Sequence, residues 1–263
     1  MKTIAIMNVK GGVGKTVTAV NLAEILAGEH GKRVLLIDCD AQGDATYLLG
    51  AEDGNVSTYE LLTQSGTIDW MDPETVTPSR YRGLDVIPAC SDLYYLQAAN
   101  PEDMIRRVEE ALGLLDREDR YDWVIFDCPP SFSAPAIAAL CSSDYVTVPL
   151  AMAALDIRGC NNLMAQLEAV HDLSSMRLTD VRALPTMVHP GEVCKQALEL
   201  LEETGIPLWK SRIRRTDKVP ESTFYAQSIL EYSPQSWAGR DYRNFVAELL
   251  ARTSGEEAQR DEL

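Results

Sequence analysis

Val9-Lys10-Gly11-Gly12-Val13-Gly14-Lys15-Thr16 lies between a short apolar run and an amphipathic one. Upstream, Thr3 to Asn8 reads as a strand carrying Ile4, Ala5, Ile6 and Met7. Downstream, Val17 to Ala27 sets Val20, Ala23, Leu26 and Ala27 at helical spacing and contains no proline. Strand, glycine-rich loop and helix in that order are the setting of a phosphate-binding loop. Three glycines in four residues let the backbone curl with its N–H groups turned inward, and the helix adds its positive N-terminal end. Such a site suits a polyanion. Lys15 is expected to reach the outer phosphates and the Thr16 hydroxyl to hold Mg²⁺, with Gly11, Gly12, Val13, Gly14 and Val17 completing the cradle.

Outward from the loop, Arg33 to Asp38 is a continuous apolar run ending in a carboxylate, as a strand buried on both faces of a parallel sheet reads. Leu84 to Pro88, Trp123 to Asp127 and Tyr145 to Leu150 repeat the pattern, and Val181 to Met187 is a weaker member. Helical patterns fall between them: Ser91 to Ala99, Pro101 to Leu115, Leu155 to Val170 and Glu192 to Glu203. The last runs from about Pro234 to Arg252, with Trp237, Phe245 and Leu249 expected to face inward. The least periodic stretch, Asn55 to Arg82, is read as a short helix over Ser57 to Leu62 plus surface loop. The alternation specifies an α/β fold, a mostly parallel twisted sheet with helices on both faces. No linker divides the chain, so residues 1–253 read as one domain, and the acidic tail 254–263 is expected to fray.

In such sheets ligands sit beyond the carboxyl ends of the strands, where two further motifs fall. Asp38-Cys39-Asp40-Ala41-Gln42-Gly43-Asp44-Ala45-Thr46 leaves a buried strand with two carboxylates positioned to face a metal-bound phosphate. Trp123-Val124-Ile125-Phe126-Asp127-Cys128-Pro129-Pro130-Ser131 is an apolar strand ending in an aspartate suited to a magnesium-bound water.

The first loop lacks the glycine that the general phosphate-binding pattern puts at position 9 and carries a second lysine, Lys10, instead. K-G-G-V-G-K-T thereby resembles the deviant Walker A loop of the ParA/MinD family, and the chain resembles its ParA/Soj branch. D-C-D-A-Q-G-D-A-T is similar to the family's D-x-D-P-Q-G-N-A-T, and D-C-P-P-S to its D-x-P-P-S. The resemblance implies a P-loop NTPase fold and a weak, Mg²⁺-dependent ATPase that binds ATP and ADP. It also implies roles: Lys10 crosses a dimer interface to the partner's nucleotide, Asp40 positions the attacking water, and Asp38 and Asp127 lie at the metal with Thr16. Ala41 stands where the family has proline and Asp44 where it has asparagine, which loses a stiff turn and gains a charge. A relative that binds nucleotide without hydrolysing it therefore stays open.

The 263 residues carry a formal net charge of −16, so the surface as a whole does not attract nucleic acid. Lys210-Ser211-Arg212-Ile213-Arg214-Arg215-Thr216-Asp217-Lys218 is the local exception, with five cations against one anion. It loosely resembles the family's late I-P-R-N-x-x-L-S-E-A segment. Arg212, Arg214, Arg215 and Lys218 are the candidate contacts to non-specific DNA, with Arg240 and Arg243 as a possible extension. A solvated loop, or cations serving nucleotide or a partner subunit, is the competing account. The resemblance further implies ATP-driven homodimers, a ParB-like activator, a cytoplasmic protein associated with the nucleoid when ATP-bound, and a role in plasmid or chromosome partitioning.

No apolar run approaches the roughly 18 residues of a membrane span, and the short first strand does not read as a signal peptide. A MinD-like membrane-positioning ATPase is the alternative within the family, but the acidic final residues do not resemble a basic amphipathic helix. Six scattered cysteines without a C-x-x-C pair suit free thiols better than a metal centre. His30, His171 and His189 share no ligand spacing.

Overall fold

The computed structural model describes residues 1–64, 66, 68–152, 162–170 and 178–255. Its strands are β1 (Lys2–Ile6), β2 (Val34–Asp38), β3 (Thr77–Pro78), β4 (Leu84–Ile87), β5 (Trp123–Asp127), β6 (Tyr145–Ala151) and β7 (Asp180–Thr186). They form one sheet in the order β3-β4-β2-β5-β1-β6-β7, parallel throughout except for β3. The central pair β2 and β5 is buried at every position, which is why both read as unbroken apolar runs rather than alternating ones.

Alternate residues serve opposite faces. Ala5, Met7, Leu35, Ile37, Val124 and Phe126 pack on one side with Val108, Leu112 and Leu115 of α4 (Pro101–Arg117). Ile4, Ile6, Val34, Leu36 and Ile125 pack on the other with Leu22 of α1 (Lys15–Glu24) and Tyr242, Phe245 and Leu249 of α10 (Trp237–Thr253). Local chemistry sets the helix starts. Ser57 and Glu60 form a capping box on α3 (Thr58–Thr63), and Asn100 caps α4 with Pro101 at its first position.

The expected strands and longer helices are present with small shifts at their ends, and several shorter elements are new. The pattern over Ser91 to Ala99 becomes a tighter 3₁₀ segment, Ser91–Leu96, and α1 runs on into a π turn, Ile25–Glu29. Three short helices had no legible period: α2 (Asp44–Leu49), α8 (Lys218–Phe224) and α9 (Ile229–Tyr232). Each has fewer than eight residues, so tertiary contacts rather than periodicity hold it. Residues 162–170 are helical, and the remainder of the pattern over Leu155 to Val170 lies outside the described residues, as does the tail from 256. Trp237 corrects an expectation: it is 56% exposed, not inward, while Phe245 and Leu249 are buried.

Both sheet margins are finished. At one, β3 is two residues long and ends on Pro78. At the other, residues 207–215 run along β7, with Ala183 N–H donating to Pro207 O (2.9 Å), Ile213 N–H to Pro185 O (2.8 Å) and Arg215 N–H to Val188 O (2.8 Å). Among the described residues, no helix is long and apolar enough to cross a membrane.

Candidate functional site

The glycine loop leaves β1 and is pinned at its start by Asn8, a buried residue that sequence reasoning passed over. Its Nδ2 donates to Pro149 O on β6 (2.8 Å) and its Oδ1 accepts from Lys10 N–H (2.9 Å). Gly12 (φ 74°) and Gly14 (φ 93°) adopt the left-handed conformation that other residues resist. A Cβ on Gly11, Gly12 or Gly14 would meet nothing within 4 Å, so the curl opens onto free space directly before α1. Thr186 Oγ1 donates to Val13 O (2.9 Å) and ties the far side of the loop to β7.

Lys15 is buried, and its ammonium donates to Lys10 O (3.1 Å). Burial lowers its pKa, an effect that the carboxylates of Asp127 and Asp40 oppose. Lys10 is exposed. The two lysines of the loop therefore point to different neighbourhoods, one within the chain and one at its surface.

Asp38 and Asp127 are register partners at the ends of β2 and β5. They are both buried, yet they are used differently. Asp38 spends its oxygens inside the chain: Oδ2 accepts from Thr46 N–H (2.9 Å) and Thr46 Oγ1 (2.7 Å), and Oδ1 from Asp40 N–H (3.1 Å). Thr46 Oγ1 in turn accepts from Ala89 N–H (2.9 Å), so Asp38 holds the following loop in shape. Burial pushes Asp38 up to about 6 against those hydrogen bonds.

Asp127 has no such support. Among the described residues neither carboxylate oxygen has a partner at good hydrogen-bond geometry, although the Thr16 hydroxyl is close enough to act on it. Burial first and the charge of Asp38 second raise it well above the ordinary carboxylate range, while the nearby Thr16 side chain and Lys15 partly offset them. A buried carboxylate with both oxygens unused calls for a cation. Asp127 with Thr16 fits Mg²⁺, which takes one or two protein ligands and completes its shell with water and substrate phosphates. No cluster of three or more metal-binding side chains occurs among the described residues.

A cleft of about 720 Å³ extends from the curl. Its lining joins Gly11 to Val17, Asp40, Asp44 and Pro130 with Ile213 to Asp217, Val219, Pro220, Thr223 and Tyr242. Asp40 is half-buried there, its Oδ1 accepting from Gln42 N–H (3.1 Å). The structure thus brings the glycine loop, Asp40 and Asp127 together, and it also brings in half of the basic segment. Arg214 and Arg215 stand on the cleft wall, whereas Arg212 and Lys218 lie outside its lining.

Most of those cations have carboxylate partners, some near in sequence and some far. Arg214 is gripped by the buried Asp241, whose Oδ2 accepts from its Nε (2.8 Å) and its backbone N–H (2.9 Å), and its guanidinium lies 4.2 Å from the Trp237 ring centroid. Arg212 pairs with Glu202 (3.0 Å), Lys218 with Glu221 (2.6 Å) and Arg243 with Glu29 (2.7 Å). Arg215 is exposed and has no side-chain partner among the described residues. Thr46 could be suspected from its place in the Asp38 motif; nothing in the sequence signals Asn8, Thr186 or Asp241.

A curl of amides, a buried lysine and an orphaned aspartate at the carboxyl edge of a parallel sheet are shaped for a phosphate chain with its cation. Fold and site together define a P-loop nucleotide hydrolase. The model of the AAA domain family (AAA_31) matches residues 1–179. The sporulation initiation inhibitor protein Soj of Bacillus subtilis is 33% identical over 257 residues, 95% of this chain and 98% of its own. The chromosome-partitioning ATPase Soj of Thermus thermophilus is 34% identical over 258 residues, 96% of each. Among solved structures, a cobyrinic acid a,c-diamide synthase from Mycobacterium smegmatis with ADP and magnesium superposes with a TM-score of 0.80 at 26% identity, covering 97% of this chain and 96% of that one. The chain belongs to the ParA/MinD family of P-loop ATPases.

Proposed function

We propose that this protein is an ATP-driven dimerising switch that binds ATP and ADP with Mg²⁺, associates with non-specific DNA in the ATP state, and acts in plasmid or chromosome partitioning. The observation that carries the nucleotide reading is Asp127, a buried carboxylate without a donor at the foot of an open glycine curl. The partitioning reading rests on the likeness to the Soj proteins over nearly the whole chain.

The loop amides and Lys15 bind the triphosphate, and Thr16 and Asp127 would hold the metal. Mg²⁺ supplies charge neutralisation on the phosphates. Asp38 keeps the Asp40–Thr46 loop in shape, and Asp40 orients the attacking water. Lys10 reaches the nucleotide of a second copy, so the site is complete only in the dimer. Arg212, Arg214, Arg215 and Lys218 contact DNA phosphates, and a ParB-like partner stimulates turnover and releases the dimer. The protein works in the cytoplasm, on the nucleoid while ATP is bound.

The test is mass in solution with and without Mg²⁺ and ATP for Asp40→Ala, alone and combined with Lys10→Ala. Asp40→Ala is expected to accumulate as an ATP-dependent dimer, and the double variant to bind ATP yet stay monomeric. A monomer in both cases, with nucleotide bound, would sink the switch.

A further inference from the structure

The turn between β3 and β4, residues 79–83, lies outside the cleft lining but touches two elements that contribute to it. Arg80 N–H donates to Leu49 O (3.1 Å) at the end of α2, the helix that follows the Asp40 loop. Its Nη1 donates to Ala226 O (2.6 Å), in the turn that joins α8 to α9. Tyr81 adds a second grip there: its hydroxyl accepts from Ser228 N–H (3.1 Å) and donates to Glu231 Oε2 (2.7 Å). Asp44 of α2 and Val219, Pro220 and Thr223 of α8 all line the cleft. One arginine therefore holds the helix behind Asp40 at a fixed place relative to the helix that lines the nucleotide cleft.

The backbone is shaped around this arm at both ends. α2 ends on Gly50 (φ 66°), where a Cβ would stand 2.9 Å from Arg80 Nη2 and 3.1 Å from Nε, so the guanidinium crosses directly over the bare glycine. Ala226, whose carbonyl the guanidinium takes, has the left-handed conformation (φ 51°) that residues with a Cβ resist. A planar fork lying over a glycine and donating from its tip is a fit that a lysine ammonium does not copy. Arg80 is exposed, where a hydrogen bond contributes little net stability. What the contact supplies is registration of α2 against α8.

We propose that Arg80 is a positioning residue for the hydrolytic step: it braces α2 against the α8–α9 turn, so that nucleotide seated against α8 sets the place of the Asp40 loop. Without the brace α2 keeps its own anchor, Thr46 Oγ1 on Asp38 (2.7 Å), but shifts relative to the bound nucleotide. This rests on the reading above that Asp40 orients the attacking water, and it adds how that loop is aligned with the ligand.

Arg80→Ala is expected to lower kcat for ATP about tenfold, since a small misplacement of a positioned group is costly in rate. KM should stay within about twofold and the melting temperature within about 2 °C. Arg80→Lys should recover little of the loss. Hydrogen exchange reads the brace without turnover: ADP with Mg²⁺ should protect residues 44–50 and 218–226 together in the wild type, and only 218–226 in Arg80→Ala. Gly50→Asn is the independent variant, because asparagine tolerates the left-handed conformation while its Cβ displaces the guanidinium. It should reproduce the loss of kcat, and the double variant with Arg80→Ala should be no slower than either alone. Additive losses, an unchanged kcat in Arg80→Ala, or protection of 44–50 that survives that substitution each overturn the proposal. So does a fall in melting temperature with kcat and KM intact, which would leave Arg80 a structural contact only. If Asp40→Ala hydrolyses ATP as fast as the wild type while Arg80→Ala still loses protection over 44–50, the water-orienting reading fails and the brace stands.

Discussion

Asp127 contributes differently with and without its cation. Burial and Asp38 raise its pKa, so ionising it costs more in the folded chain than in the unfolded one. For a carboxylate raised in the folded state, ionisation opposes folding. The cost is absent below the ordinary value of 3.8 and, for Asp38, fully present above the folded value of about 6. The metal-free protein should therefore lose stability as pH rises from about 4 to about 6 through Asp38, and Asp127 adds a loss of the same sign. Asp127→Asn should raise its melting temperature near neutrality by ~2–4 °C, since one kcal/mol moves a domain of this size by about that much, while weakening Mg²⁺-dependent nucleotide binding. Calorimetric melts with and without Mg²⁺ and ATP check both halves, and a variant that melts lower without ligand would refute the stated origin of the shift. The sequence announced Asp127 through four apolar residues and a terminal carboxylate. It could not announce that Asp38, one strand over, has both oxygens committed while Asp127 has neither.

At the scale of elements, the cleft lining beyond the glycine loop depends on α10. Asp241 and Trp237 hold Arg214 from two sides, and Arg214 sits in the segment Ile213 to Asp217 that lines the cleft. Asp241→Asn removes the charge of a buried partner and should loosen that segment, raising KM for ATP severalfold with a much smaller effect on kcat. Steady-state kinetics separate the two, and an equal fall in kcat with KM unchanged would move Asp241 into the chemistry instead. This clamp explains the misreading of Trp237. Its helical spacing with Phe245 and Leu249 suggested the core, but its ring stays at the surface beside arginines from another segment and from its own helix, Arg214 and Arg240. α8 was hidden for a similar reason: its Val219 and Pro220 face the cleft rather than forming an apolar stripe. The long strands, by contrast, were legible because a doubly covered parallel strand must be apolar throughout.

For the whole molecule, a charge of −16 makes any attraction to DNA local, and the geometry narrows it further. Arg212, Arg214 and Lys218 are each paired with a carboxylate, whereas Arg215 is exposed without one among the described residues. Arg215→Ala is therefore expected to weaken ATP-dependent DNA binding more than Arg212→Ala or Lys218→Ala, and to lower the salt slope by about one. Filter binding across a salt series reads this, and equal effects at all three positions would mean that the ion pairs open on DNA. The sequence showed the excess of cations but not that Glu202 and Asp241 meet two of them once the chain is folded, while Glu221 meets Lys218 one helical turn along.

The finished margins of the sheet have a consequence for how copies meet. Pro78 closes a two-residue border on one side, and residues 207–215 occupy the hydrogen-bonding groups of β7 on the other. Among the described residues neither margin offers a long open ladder, which disfavours pairing of molecules strand to strand. On the proposed reading, copies then meet through side chains and the ligand in the cleft, so the lifetime of the pair follows the ligand rather than the sheet.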